Sequence, residues 1–365
     1  MLSVGSLGAL HPFFAPILAD AGANGVVIAG VLGMFPVGIL VFGPLWAMWA
    51  DRLGDPRRVV LRAAVGCALG AALLCLPGPW AWLVPGALLL AICRTPLFAV
   101  VDAVAVEHLG GERYGQVRLW GSVSFIAIVQ AAGQARDVWP RAPLWITLAL
   151  FAGMVAMSSR LPRPERVPPV DWAAALRALR DHPVLRPLAG VAVLHGATLS
   201  MYDHMYGLHL ESMGFDGGLL GTAVGLGVAA EVLVMWGSAP LLRRFGGLSL
   251  MAIAVVSGVP RWWGTAMLTD PTWQVAIQAL HGLTFGAWWI GGVKLFAESA
   301  PKGLENTSQS ILLASSFGVG SIIAMITTGT LLDTQGTQVL FQASAVLSVL
   351  AVLGLSRVAL RSRQG

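Results

Sequence analysis

Long apolar runs follow one another along this chain, separated by short polar turns. A helix that crosses a bilayer needs roughly 20 apolar residues, within a range of about 17–25. By that measure about twelve runs qualify, at 2–19, 25–49, 59–79, 82–106, 117–135, 142–159, 187–212, 217–240, 248–268, 272–298, 307–332 and 336–358. The pattern predicts an all-α, polytopic membrane protein. The first run is short and is interrupted by His11-Pro12. No basic region precedes it and no clear small-residue cleavage site follows, so it reads as the first span rather than a cleaved signal.

The longest polar stretch, 160–186, falls at the midpoint and sets the expected organisation: a six-helix bundle over 1–159, a linker over 160–186, and a second six-helix bundle over 187–365. Pro162, Pro164, Pro168 and Pro169 stiffen the first part of the linker. Asp171 can cap a short helix with Trp172, Leu176 and Leu179 on one face and Arg177 and Arg180 on the other, suited to the membrane surface. A plain tether would serve equally well. The cations choose one side. Even-numbered turns carry Arg52, Arg57, Arg58, Arg113, Arg160, Arg163, Arg166, Arg177, Arg180, Arg186, Arg243, Arg244 and Lys302, whereas odd-numbered turns carry Asp20, Asn24, Asp270 and Asp333 with only Arg136 and Arg141. Positive residues stay inside, which places both termini in the cytoplasm and requires an even number of spans.

Composition narrows the function classes. The chain is 56% hydrophobic and 11% charged, against roughly 25% charged in soluble domains. Its net charge of +5 comes from these loop arginines and gives no sign of nucleic-acid binding. Cys67, Cys75 and Cys93 all lie in apolar runs, odd in number and without metal-site spacing, so neither a disulfide framework nor a metal centre is expected. No phosphate-binding loop, His-Glu-x-x-His helix or Gly-x-Ser-x-Gly elbow is present. The sequence therefore points to no cofactor and away from a membrane enzyme; a transporter-derived sensor stays open.

Against that apolar background, Arg94, Asp203, Glu231, Arg261 and Lys294 interrupt runs otherwise built for lipid. A charge at the bilayer centre costs about 2.5–3.5 kcal/mol even on the lenient insertion scale, and such residues face cavities, pair with one another, or contact what is moved. The simplest expectation is a transporter.

Specific motifs carry a family resemblance over the whole length. Asp51-Arg52-Leu53-Gly54, followed by Arg57 and Arg58, is similar to the loop motif of the major facilitator superfamily, with Ala47 where a leading Gly is usual. Arg243-Arg244-Phe245-Gly246 occupies the corresponding turn of the second half. Tyr114-Gly115-Gln116-Val117-Arg118-Leu119-Trp120-Gly121-Ser122, the stretch Gly225 to Glu231, Pro260-Arg261-Trp262, and Gln278 through His281 to Phe285 resemble the phenylpropionate permease branch, related to lactose permease. The resemblance implies two pseudo-symmetric bundles with a substrate site between them near the midplane. It also implies proton-coupled uptake of a small organic solute by a monomer in the bacterial inner membrane.

Residue roles follow from chemistry and resemblance together. Burial resists ionisation of Glu231 while a nearby Arg261 favours it, so Glu231 is the expected proton carrier and Arg261 its partner; a static ion pair is the plainer alternative. Lys294 either joins this coupling or snorkels to the interface, with Glu298 at pairing distance i+4. Asp203 is a second candidate proton site. His195, Tyr202, Tyr206 and His209 recur on one helical face and either line a cavity for an aromatic or sugar-like solute or form an interfacial belt. His281 is a further candidate substrate contact. Arg94 offers a bidentate fork for a carboxylate, or pairs internally, with Asp203 one candidate partner. The resemblance pairs Asp102 with Arg118, as structural or gating charges, and gives Asp51 and Arg52 a gating role. Gly217, Gly221 and Gly225 are spaced for close helix packing, and Gly318 and Gly320 are expected to break span eleven. Together these readings predict proton-coupled import of a small organic acid by alternating access, the alternative being a neutral sugar or nucleoside.

Overall fold

The computed structural model describes residues 1–53, 55–160, 177, 180, 184–300 and 305–361; the side chains of 47, 50–53, 56, 98–100, 102–118, 305, 306 and 361 are not among those described. The described residues are helical almost throughout and contain no strand. In chain order the helices are α1 (Leu2–Asp20), α2 (Gly25–Leu53), α3 (Pro56–Cys75), α4 (Leu83–Cys93), α5 (Thr95–Val138), α6 (Ala142–Ser158), α7 (Leu185–Ser212), α8 (Gly217–Trp236), α9 (Ser238–Met267), α10 (Pro271–Ala276), α11 (Trp288–Glu298), α12 (Glu305–Leu313) and α13 (Ser321–Arg361). Among the described residues, seven helices are long and apolar enough to cross a membrane. Lipid cannot hydrogen-bond the backbone, so helices that satisfy their own amides are the fitting element. On α2, Val37, Val41, Leu45 and Met48 form an exposed apolar stripe that only lipid would solvate well.

Local chemistry sets the helix ends. Asn24 Oδ1 accepts the Val27 amide, Asp55 the Arg57 amide, Asp216 the Leu219 amide, and Asp270 the amides of Thr272 and Trp273. Each is an N-terminal cap, and Pro56 and Pro271 stand just after theirs, where a missing N–H costs nothing. Asn24 and Asp270, which signal topology in the sequence, thus also start helices. Three long helices turn back within their bounds. In α9 and α13 the turn is a glycine in left-handed backbone, Gly246 (φ 73°) and Gly336 (φ 74°). In α5 the contacts require it. Arg94 touches His11 and Arg136 touches Asp20, points about 13.5 Å apart along α1, whereas a straight helix would separate Arg94 from Arg136 by about 63 Å.

Two compact units result: residues 1–169 with 204–225, and 170–203 with 226–365. In the first, α1 packs on α5 and α6, and α3 on α4 and α6. In the second, α9 packs on α11 and α13. Helices α7 and α8 contribute to both, since their shared turn belongs to the first unit and their far ends to the second.

Several expectations meet the backbone here. Helix α1 runs straight through His11-Pro12. Its second proline, Pro16, cannot donate to the Pro12 carbonyl four residues back, and Gly207 of α7 lies against that carbonyl so closely that a Cβ would overlap it. Gly217 and Gly221 pack on the backbone of α5, where Gly133 and Gly217 each leave room for the other's carbonyl, as their spacing anticipates. Gly318 and Gly320 do not break their span. They lie in a π-helical turn, Ala314–Gly320, that continues into α13, with Gly320 against the backbone of α7 at Val193 and Ala197. A widened turn keeps the backbone bonded where a break would strand it. The linker helix expected after Asp171 lies outside the described residues, apart from Arg177 and Arg180.

These contacts predict that Gly207→Ala overpacks the α1–α7 contact at a cost of about 1–3 kcal/mol, lowering the thermal midpoint of the purified protein. Gly30→Ala, where an added Cβ meets nothing within 4 Å, should leave the midpoint unchanged or slightly raised.

Candidate functional site

The second unit holds a polar cluster on α7, α8, α9 and the 3₁₀ and π-helical turns between α10 and α11. Arg261, at 0% exposure, follows Pro260 on α9. A guanidinium has five donors and cannot discharge itself, so its burial demands acceptors. Nη1 donates to Thr284 Oγ1 at 2.6 Å, and Nη2 and Nε donate to Gln278 Oε1 at 3.0 and 3.3 Å. Its two faces are covered by rings, with Cζ 4.2 Å from the Tyr202 centroid and 4.3 Å from that of Trp262. Gln278 is held in turn by Thr265 and Gln274, both fully buried. Arginine, amide and hydroxyl thus form one packed network, with cation–π contacts supplementing the hydrogen bonds.

His281 stands next in line. Its Nε2 lies 3.4 Å from Glu231 Oε2, and it is within electrostatic reach of Arg261. Asp203 lies within reach of both Arg261 and Glu231. Two carboxylates, an imidazole and a guanidinium therefore share one buried neighbourhood. A change of charge at any one of them alters the field at the others.

A ladder of rings leads away from His281. The turn Gly282–Ala287 is π-helical, and Gly282 and Gly286 let it close on Ala230 and Val234 of α8. The extra residue per turn brings side chains four apart nearly into line. His281 stacks on Phe285 (5.4 Å, 14°), and Phe285 on Trp289 (6.5 Å, 5°). The second π-helical turn supplies Phe317, 6.3 Å from both Phe285 and Trp289. Phe285, Trp289 and Phe317 are each only partly buried, so the ladder keeps ring surface open.

The first unit places Arg94 where a helix is broken. Pro96 cannot donate to the Ile92 carbonyl, which accepts from Trp46 Nε1 at 2.7 Å instead. Arg94 sits at this joint between α4 and α5. Its Nη1 meets His11 Nε2, and its Cζ lies 4.9 Å from the Phe35 ring centroid.

At the opposite end of α5, Arg136 is 7% exposed. It grips Glu211 with Nε (2.6 Å) and Nη2 (2.9 Å), Asp20 with Nη2 (3.0 Å), and the Pro140 carbonyl with Nη1 (2.9 Å). The next residue, Asp137, accepts the amides of Gly217 and Gly218 at 2.7 and 3.0 Å, capping α8 from another helix and meeting its positive end. This latch ties the α7–α8 turn to α5 and α1. The only hint in the sequence is that Arg136 is a rare cation on an otherwise acidic side.

The remaining candidates divide. His195, Tyr202, Tyr206 and His209 are all buried in protein. His195 and Tyr202 belong to the second unit, Tyr206 and His209 to the first. His195 Nε2 donates to the carbonyl of Thr284 at 2.7 Å, the same residue whose hydroxyl accepts from Arg261. Lys294 pairs with Glu298 at 2.9 Å, both about half exposed (51% and 52%). The partner that the structure gives Arg94 is His11. Side chains of Asp51, Arg52, Asp102 and Arg118 lie outside the described residues. The sequence reading missed His11, Gln278, Thr284 and Trp262 as partners; only the spacing of Gln274, Gln278, His281 and Phe285 along one helical face could have signalled the second-unit set.

An all-helical, multi-pass membrane protein with charges networked inside its spans is a transporter by class, and comparison with known proteins agrees. Residues 1–343 match the model of the MFS_1 like family, and the chain belongs to that family. It is 26% identical to the maltose permease of Geobacillus stearothermophilus, covering 98% of this chain and 92% of the relative. It is 27% identical to a probable 3-phenylpropionic acid transporter of Escherichia coli (strain K12), covering 88% and 86%. Its fold matches the crystal structure of nucleoside transporter NupG with a TM-score of 0.86 at 17% identity, covering 98% and 96%. The chain is therefore a secondary transporter of the major facilitator type and not an enzyme.

If Arg136 fastens the α7–α8 turn, Arg136→Ala should destabilise the protein by about 1–3 kcal/mol, because Glu211 and Asp20 lose their shared donor. A thermal melt of the variant indistinguishable from the parent would remove the latch.

Proposed function

We propose that this protein imports a small organic acid together with protons, by alternating access, as a monomer in the bacterial inner membrane with both termini cytoplasmic. Twelve crossings, in bundles over 1–159 and 187–365 joined by the 160–186 linker, complete the reading. The observation that carries it is the shared neighbourhood of Glu231, His281, Asp203 and Arg261. Ionisable groups are retained inside membrane spans for pairing or for pathways, and a carboxylate facing an imidazole beside a guanidinium can gain and lose a proton as its surroundings change. Glu231 carries the proton and His281 relays it, with Asp203 the second titrating group. Arg261, held by Gln278 and Thr284, sets the local field. Lys294 enters only as the partner of Glu298. Asp51 and Arg52, and the pair Asp102 and Arg118, serve gating.

Arg94 supports the choice of an acid. Discontinuous helices near the midplane mark substrate sites in secondary transporters, and a guanidinium at such a joint matches a carboxylate. The probable 3-phenylpropionic acid transporter among the relatives makes 3-phenylpropionate the first acid to test.

A second reading has its own support. Arg261 and Arg94 already donate to internal acceptors, and a maltose permease and a nucleoside transporter stand among the similar proteins. In that case the ring ladder and Tyr202 recognise a neutral sugar or nucleoside.

Uptake into proteoliposomes separates the two. An inward proton gradient should drive accumulation of 3-phenylpropionate, Glu231→Gln should abolish the gradient-driven component while leaving exchange, and Arg94→Gln should weaken acid binding by about 1.5–3 kcal/mol. Uptake restricted to sugars or nucleosides and indifferent to Arg94→Gln would defeat the acid reading.

A further inference from the structure

The contact between Arg94 and His11 contains more information than its position. A guanidinium can only donate, so His11 Nε2, which meets Arg94 Nη1, is the accepting nitrogen. The ring proton therefore sits on Nδ1 and His11 is neutral. An imidazolium in the same place would turn two donors and two positive charges on each other. The pair is also not sealed: His11 and Arg94 are both only partly buried, while Phe14, Phe35 and His204 around them are buried. The His204 ring lies 5.1 Å from that of His11 and the Phe35 ring 6.2 Å away. Among the described residues, the titratable or charged groups facing His11 are Arg94 at the α4–α5 joint and His204 on α7. Cys67 of α3, beside Cys93, stands within reach of Arg94. Every described charge at this place is positive or neutral, and the one cation is held by an acceptor that a better acceptor could replace.

We propose that His11 and Arg94 form a joint site for a carboxylate and a proton. The substrate carboxylate replaces His11 Nε2 as the acceptor of the Arg94 guanidinium. The freed Nε2 takes one proton from solvent, and the resulting imidazolium donates to the same carboxylate. No covalent bond forms or breaks beyond that N–H. The anion removes the repulsion that keeps His11 neutral, and the imidazolium strengthens the hold on the anion, so each raises the other's affinity by the same factor. Anion and proton then bind as a pair in the first unit, independently of Glu231 in the second. His204 contributes a ring wall to the site, being almost fully buried where His11 is not. This site rests on the reading of the substrate as an organic acid.

The test is calorimetric titration of the detergent-purified full chain with 3-phenylpropionate, and with its uncharged amide, between pH 6 and pH 8. For the parent, acid affinity should fall as pH rises. His11→Gln keeps an acceptor for Arg94 but cannot take the proton, so its slope should be shallower by one proton, about tenfold per pH unit. Amide binding should show no such component in either protein. A folded His11→Gln protein with the parent's slope overturns the joint site and leaves proton-coupled acid transport standing; failure of any carboxylate to bind the parent removes both. Nitrogen-15 spectra of the histidine-labelled parent give a readout without mutation. His11 should be neutral with its proton on Nδ1 in the free protein and doubly protonated in the saturated complex, and a neutral His11 in the complex overturns the proposal.

Discussion

A guanidinium inside a membrane protein cannot shed its charge, and three of the described arginines show how the structure meets that demand. Arg136 receives two carboxylates and a carbonyl, a full ionic solution suited to a permanent fastening. Arg261 receives an amide, a hydroxyl and two aromatic faces, neutral partners that hold the group without cancelling its charge. That leaves its field to act on Asp203, Glu231 and His281. Arg94 receives one imidazole and one ring face, the lightest provision of the three among the contacts described. The same side chain is thus a rivet, a field source and a candidate ligand, according to what surrounds it.

Irregular backbone follows a similar logic. Within the hydrocarbon layer it survives only where protein or a cavity supplies the missing hydrogen bonds. The break beside Arg94 is repaired by the Trp46 indole. The two π-helical turns stay bonded and use their widened register to bring Phe285 and Phe317 together. In each case the departure from ideal helix coincides with a side chain able to meet a solute. Glycines elsewhere act as spacers: Gly207 fits the carbonyl that Pro16 leaves unbonded, and Gly133 and Gly217 bring α5 and α8 together so that Asp137 can reach the first amides of α8.

The latch and the shared helices are connected. Helices α7 and α8 run from one unit into the other, and Arg136, Asp137 and Gly207 hold their common turn to the first. A few directional contacts thereby hold that turn to α5 and α1. The Arg261 network is confined to the second unit.

The sequence by itself determined the class as far as a multi-pass membrane protein, because lipid imposes apolar runs of crossing length and cations on alternate turns directly on composition; the charges kept inside the runs made a transporter the simplest reading. It also marked Glu231, Arg261, Asp203 and Arg94 as residues needing an explanation, since each breaks the pattern at a known cost. What it could not supply was who meets whom. His11 and Arg94 are separated by 82 intervening positions in the chain, and Arg136 and Glu211 by 74, distances over which periodicity says nothing. The π-helical turns were equally hidden, because glycines that permit a break and glycines that permit a widened turn read alike until the neighbouring helix is in place. Partner choice and helix register depend on how helices pack, and only the tertiary structure decided them.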